Sequence, residues 1–206
     1  MAILCREFYI GNTVEIARNL LGKYLVRRCD GEILLSRITE TEAYAGAADK
    51  ACHAYGYRKT ARNATMFGPP GHAYVYLIYG MYCCLNFVTN PVGEPEAVLL
   101  RGLEPVYGLE QMAQARFGCT WAQLTAYQRK NFLNGPGKCC KALSIDRSLN
   151  GCDLTDGELL LCTSPADVSL CAVDAPQRII RCGKRIGIDY AEEAANFPWR
   201  FWLEKG

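Results

Sequence analysis

Behind Asn12, which precedes Glu15 by three residues in the manner of a capping box, apolar positions Val14, Ala17, Leu20 and Leu21 recur at helical spacing until Gly22. A short amphipathic helix is expected there. The period then changes. Lys23–Cys29 and Glu32–Thr39 flank Asp30-Gly31, a pair suited to a two-residue turn, so two antiparallel strands are expected. The second delivers Glu40-Thr41-Glu42-Ala43-Tyr44 to a loop. From Ala45 to Gly71 no period survives, and Gly, Pro, Asn, Ala and basic residues predict a long functional loop. Tyr74–Val88 follows, an apolar and aromatic run whose only turn-former is Gly80, which predicts a β-hairpin with its tip near Tyr79 and Gly80.

Val98–Arg101 reads as another strand, ending at Glu104-Pro105. Tyr107–Phe117 reads as a helix with Leu109, Met112, Ala113 and Phe117 on one side, and a second helical segment is expected near Trp121. Asn134–Lys138 breaks the pattern, and Cys139–Ile145 resumes it as a helix. The last quarter alternates apolar runs (Glu158–Cys162, Arg178–Cys182, Arg185–Ile188) with turns and closes on Phe197–Leu203. Hairpins with separated helices, and no βαβ series, predict the α+β class. The expected architecture is one mixed α/β domain over residues 1–206, with a curved antiparallel sheet and a protruding hairpin.

Composition narrows the function. A chain of 206 residues can bury about 70% of its unfolded surface and needs no staples. The net charge of +2 is too small to imply nucleic-acid binding by itself, so any such reading rests on local clustering. One cluster exists. Between Lys50 and Gly93 there is no Asp or Glu, while Lys50, Arg58, Lys59 and Arg62 precede the tyrosine-rich hairpin. An aromatic tip beside a basic, acid-free approach suits a wedge between stacked bases with phosphates alongside. The alternative is that these tyrosines are ordinary residues of a sheet core. The hairpin is too short and too rich in hydroxyl groups for a membrane span, which needs about 20 apolar residues. Twelve cysteines without any C-x-x-C pair, and only two histidines, give no zinc spacing and suit a reduced compartment. The N-terminal stretch has neither the apolar core of a signal peptide nor the bias of a transit peptide. An intracellular protein is therefore expected, in the cytoplasm or nucleoid of a bacterium or the nucleus of a eukaryote, with no membrane partner.

Three constellations could carry chemistry. Glu40 and Glu42 share one face of a strand, as paired carboxylates in a glycosidase do, and Arg101 after Val98-Leu99-Leu100 is a candidate partner. A Glu–Arg pair could hold a water for deprotonation, or be only a structural ion pair. Gly135-Pro136-Gly137-Lys138 at a helix start offers N–H groups and an ammonium to a phosphate, or is a plain turn. It is not a nucleotide-binding P-loop, because Phe132 and Cys139 stand where that motif requires Gly and Ser or Thr. Cys52 beside His53 makes no nucleophilic dyad by adjacency alone.

Taken in order, R-I-T-E-T-E-A-Y (Arg37–Tyr44), A-x-H (Ala51–His53), R-N-x-x-M-F (Arg62–Phe67), Y-V-Y-L-I-Y-G-M-Y-x-C-x-N (Tyr74–Asn86), L-L-R-x-L-E-P (Leu99–Pro105) and G-P-x-K (Gly135–Lys138) resemble the alkyladenine, or 3-methyladenine, DNA glycosylases of the mammalian type. The resemblance runs from Arg37 to Leu143 and around the first helix. It does not extend to Ala54–Tyr57 or to Ser144–Cys182. It implies a monofunctional, cofactor-free and metal-free monomer that hydrolyses the N-glycosidic bond of damaged purines (3-methyladenine, 7-methylguanine, hypoxanthine) in double-stranded DNA. By similarity, Glu42 activates water held by Arg101, and Tyr79 fills the gap left by the flipped nucleotide. Tyr44, His53 and Tyr76 sandwich the base, Met66, Met81, Cys84 and Asn86 shape the pocket, and Arg58, Thr60 and Lys138 hold phosphates. Two other readings use the same hairpin and basic loop: a noncatalytic minor-groove or lesion-binding protein, and an RNA-binding or RNA-modifying one.

Overall fold

The computed structural model describes residues 3–168, 170 and 178–204. Among them are eight strands, β1 (Tyr24–Cys29), β2 (Glu32–Tyr44), β3 (Ala73–Ile78), β4 (Tyr82–Thr89), β5 (Glu96–Tyr107), β6 (Leu159–Cys162), β7 (Ile180–Gly183) and β8 (Arg200–Leu203). Four α-helices accompany them: α1 (Thr13–Asn19), α2 (Leu109–Phe117), α3 (Ala126–Lys130) and α4 (Pro136–Ala142). All strand pairings are antiparallel, in the order β3-β4-β5-β2-β1-β6. Where β1 ends, β8 takes over the same edge of β2, and β7 pairs with β8. The fold is α+β with a curved antiparallel sheet, as the hairpin-rich pattern predicts.

Alternation along the central strands separates two layers. Ala43, Val75, Leu85, Phe87, Val98 and Leu100 face the main core, which α1, α2 and α4 cover. Tyr44, Tyr74, Tyr76, Cys84, Asn86, Leu99 and Arg101 alternate with them and so face the other way. Thr41 shows the same division on β2, since its hydroxyl donates to the Ala17 carbonyl of α1 at 2.7 Å while the neighbouring Glu42 points to the opposite layer.

Local signals set several boundaries. The Asn12 side chain accepts from the Val14 and Glu15 N–H groups at the start of α1. Asp30 and Gly31 both take positive φ, as a two-residue hairpin turn of this hand requires. β2 itself keeps Glu40–Tyr44 as its expected end, because bulges around Glu40 let the strand bend and keep pairing with β5. Gly102 makes this possible, since a Cβ there would stand 2.9 Å from Glu40 Cβ. Other boundaries differ from expectation. β5 extends to Tyr107, α4 begins at Pro136 with proline in its first turn, and Arg185–Ile188 forms no strand. The 45–71 segment is a loop punctuated by three single-turn 3-10 helices.

Gly108 joins β5 to α2 at φ +83°, and a Cβ there would lie 2.6 Å from Leu34 Cδ2 and 2.9 Å from the Ile33 carbonyl. Gly108→Ala is therefore expected to cost at least about 2 kcal/mol. Calorimetry should show a melting temperature lower by roughly 4–8 °C.

Candidate active site

Residues paired directly across a sheet present their side chains on one face. Tyr74 on β3 pairs with Asn86 on β4, Asn86 with Leu99 on β5, Leu99 with Glu42 on β2, and Glu42 with Arg200 on β8. One transverse row thus carries the tyrosine hairpin to the buried glutamate. Over this row opens a cavity of about 820 Å³. Its walls include Tyr44, His53, Met66, Tyr74, Tyr76, Cys84, Asn86 and Arg101, and Tyr79 stands at its edge.

The aromatic wall is fixed by short contacts. His53 Nδ1 lies 3.0 Å from the Tyr74 hydroxyl, and the His53 ring is 4.7 Å from that of Tyr76 at 68°. Burial, reinforced by the Arg62 charge, holds the His53 imidazole below its usual pKa, so the ring is neutral at neutral pH. The Asn86 side-chain amide donates to the Tyr74 carbonyl at 3.1 Å. Burial pushes the Cys52 thiol up to about 12 and the Cys84 thiol to about 11, so neither supplies a thiolate.

Glu42 is 0% exposed. Its Oε1 accepts from the Ile186 N–H at 2.8 Å and faces Arg101 Nε at 3.3 Å, and its Oε2 accepts from the Tyr44 hydroxyl at 2.8 Å. Burial raises its pKa, and Arg101, the Ile186 N–H and Tyr44 oppose that rise. Arg101 also donates to Glu40 Oε1 at 3.2 Å, which Arg200 approaches from the other side at 3.1 Å. The two glutamates therefore differ: Glu40 sits between two arginines near the surface, whereas Glu42 is sealed beneath the cavity.

The hairpin tip is a tight turn with Tyr79 at φ +51° and Gly80 at φ +69°, closed by the Met81 N–H donating to the Ile78 carbonyl at 3.1 Å. Tyr79 is 87% exposed. Arg62, Arg101, Arg116, Lys138 and Lys141 contribute to the cavity lining, and among the described residues no Asp or Glu does. The arrangement offers an aromatic slot, a rigid projecting ring, a cationic surround and a buried carboxylate.

A sequence profile described as methylpurine-DNA glycosylase matches residues 7–206. The chain is 50% identical to a protein of Desulfitobacterium hafniense over 204 residues, covering 99% of this chain and 96% of that one. It is 44% identical to one of Clostridioides difficile over 200 residues (97% and 99%) and 49% identical to one of Bacillus cereus strain Q1 over 198 residues (96% and 94%). All three carry the provisional name 3-methyladenine DNA glycosylase. The chain belongs to the methylpurine-DNA glycosylase family. It is a DNA glycosylase, a DNA-binding hydrolase of base-excision repair. The noncatalytic and RNA-directed readings are set aside. The match also spans Ser144–Cys182, beyond the stretch where the motifs carry the resemblance.

Most residues singled out from the motifs line the cavity, but four do not: Glu42 is buried beneath it, and Met81, Arg58 and Thr60 lie outside it. Met81 lies outside the walls, 69% exposed at the hairpin tip. Arg58 and Thr60 lie on the outer loop, where the Thr60 hydroxyl is bonded to Asn63. Lys138 does line the cavity, with Nζ donating to Asn134 at 2.8 Å. Among the described residues no three His, Cys, Asp or Glu side chains converge as a metal site requires. No helix there is long and apolar enough to cross a membrane.

Two further residues shape the enzyme's site, Asn63 within the R-N-x-x-M-F motif but given no role there, and Arg185 outside every motif. Buried Asn63 clips the basic loop to the pocket: its Oδ1 accepts from Thr60, and its Nδ2 donates to the His53 and Arg58 carbonyls at 2.8 Å each. Arg185 makes a buried fork with Asp49 at 2.5 and 2.8 Å and donates to the Ala43 carbonyl at 2.8 Å. Its guanidinium lies 4.8 Å from the Tyr44 ring and 5.1 Å from that of Trp199. This anchor holds the next residue, Ile186, with its N–H on Glu42. An arginine inside the short apolar run Arg185–Ile188 was the only hint in the sequence.

Proposed function

We propose that the enzyme is monofunctional and rotates alkylated or deaminated purines (3-methyladenine, 7-methylguanine, hypoxanthine) out of duplex DNA, then hydrolyses the N-glycosidic bond with water activated through Glu42. The observation that carries this reading is that Tyr79 and the row ending at Glu42 bracket one aromatic, carboxylate-free cavity.

Cations around the cavity (Arg62, Arg116, Lys138, Lys141) attract the phosphates, with Arg58 and Thr60 on the flanking loop. Flipping costs a few kcal/mol of unstacking, which Tyr79 offsets by filling the vacancy. Between Tyr44, His53 and Tyr76 a cationic N-alkylpurine gains about 0.5–2 kcal/mol over a neutral base. Asn86, fixed by its bond to Tyr74, stands where the amino group of normal guanine would have to fit. As the sugar becomes oxocarbenium-like, ionised Glu42 both draws a proton from water and opposes the developing positive charge. Arg101 opposes the rise in pKa that burial imposes on Glu42. The alkylated base departs neutral, so the reaction needs no cofactor, and the protein acts as a monomer.

Incubation with duplexes bearing a single 3-methyladenine, 7-methylguanine or hypoxanthine is expected to release the free base and leave an unbroken abasic strand. Strand scission at the lesion, or failure to release any of the three, overturns the reading. Tyr79→Ala is expected to weaken binding to lesion-bearing duplex about 10-fold or more, with a smaller loss on single strands, since only a duplex must be wedged apart. Titration of both substrates checks this, and equal losses would remove the tip from the flipping step.

A further inference from the structure

Glu40 and Glu42 both reach Arg101, yet the reaction gives a direct task only to Glu42. One guanidinium joins them. Arg101 Nε lies 3.2 Å from Glu40 Oε1 and 3.3 Å from Glu42 Oε1. Glu40 is tied in turn to Arg200 of β8, whose Nη1 stands 3.1 Å from the same Oε1. Arg101 lines the cavity, and among the described residues no protein group takes a hydrogen bond from its two Nη groups. Carboxylates occupy Nε, and the Nη groups are left for a ligand. The backbone is shaped for this contact. Glu40 sits at a bulge of β2 opposite Gly102, where a Cβ would come within 2.9 Å of Glu40 Cβ.

We propose that Glu40 is a positioning residue for base removal: it fixes the Arg101 guanidinium with its Nη groups toward the cavity, and its charge makes Glu42 a stronger base. Glu40 itself touches no substrate and acts through Arg101. An arginine shared between two carboxylates neutralises each less than it would one alone, so Glu42 holds a proton more firmly. Burial is the leading cause that raises the Glu42 pKa and the Glu40 charge adds to it, while Arg101, the Ile186 N–H and Tyr44 lower it. Besides the two arginines, Glu40 acts on the Cys139 thiol of α4, which burial pushes up to about 12 and so keeps neutral. This inference rests on Glu42 being the base, and the two can fail separately.

Single-turnover release from a 7-methylguanine duplex, followed from about pH 5 to 9, tests this. That base leaves neutral without being protonated, so the acid limb of the profile reports the enzyme's base alone. Glu40→Gln keeps the shape and removes the charge. Its plateau rate is expected to fall about 10-fold and its acid limb to move to lower pH, with no loss of affinity for the lesion duplex. Arg200→Gln leaves the Glu40 charge less neutralised, so its acid limb moves to higher pH. Opposite displacements from the two partners of one contact mark an electrostatic role exerted through Arg101. An unmoved limb in Glu40→Gln, with the plateau at the wild-type value or lowered only in proportion to the folded fraction, makes Glu40 structural and overturns the proposal. Limbs displaced in the same direction overturn it too. These outcomes are read with Glu42→Gln inactive; an active Glu42→Gln removes the base itself, and this inference with it. Should Glu40→Gln fold poorly, Arg200→Gln decides alone, and an acid limb that stays in place overturns the proposal.

Discussion

Glu42→Gln is expected to lower the rate of base release about 10²–10⁴-fold while leaving the protein at least as stable as the wild type. The two effects have one origin. Burial is the leading influence on Glu42 and raises its pKa above the ordinary 4.5, so ionising this side chain disfavours the folded state. The stability that Glu42 contributes is present when it is protonated and is lost as the pH rises through its folded-state pKa. A glutamine keeps the shape and acceptor of Oε1 for the Ile186 N–H without the buried charge. At neutral pH its melting temperature should equal or exceed the wild-type value. On the proposed mechanism activity has the opposite dependence, because the ionised form would be the base. The wild-type rate should fall on acidification at a higher pH than an ordinary glutamate would give. A pH series of single-turnover rates, with melting curves in the same buffers, checks both signs. A markedly destabilised Glu42→Gln would show that the ion pair with Arg101 outweighs desolvation.

Arg185→Met is expected to have the largest effect on stability. It leaves the Asp49 carboxylate buried without its fork, and removing one partner of such a pair costs about 3–5 kcal/mol. The melting temperature should drop by roughly 6–20 °C. Arg185→Lys keeps the charge but not the two-pronged geometry and should fall between. Activity measured well below the melting transition should drop as well, because the segment that presents the Ile186 N–H to Glu42 loses its anchor. Urea titration and single-turnover assays of the three proteins test this. A near-neutral Arg185→Met would mean that the pair is dispensable.

How much could be read beforehand depended on the distance between partners along the chain. The Asn12 cap, the Asp30-Gly31 turn and the Tyr79-Gly80 tip are local events, and the residues that make them stand side by side. Strand lengths were harder. The register between β2 and β5 shifts around Glu40, which pairs with Gly102 while its side chain meets Arg101 at 3.2 Å, and such a bulge leaves no local mark on the pattern. The motifs gave the aromatic wall, Glu42 and Arg101. They gave no sign that Asp49 meets Arg185 across 136 residues, or that Ile186 meets Glu42 across 144. Such contacts are chosen by the fold as a whole. Arg62, Arg116 and Lys141 become a rim only once α2, α4 and the basic loop stand around one opening.

The transverse row from Tyr74 to Glu42 makes assembly of the cavity face all-or-none. A side chain changes sides with each step along a strand, so a slip of one place between β4 and β5 would turn Asn86 and Glu42 to opposite sides of the sheet. A chain trapped in that way would hold nearly the same number of strand residues and give nearly the same circular dichroism, yet release no base. For refolded or mutated preparations, the fraction of molecules that completes a single turnover therefore counts correctly aligned sheets, which a spectrum of secondary structure does not.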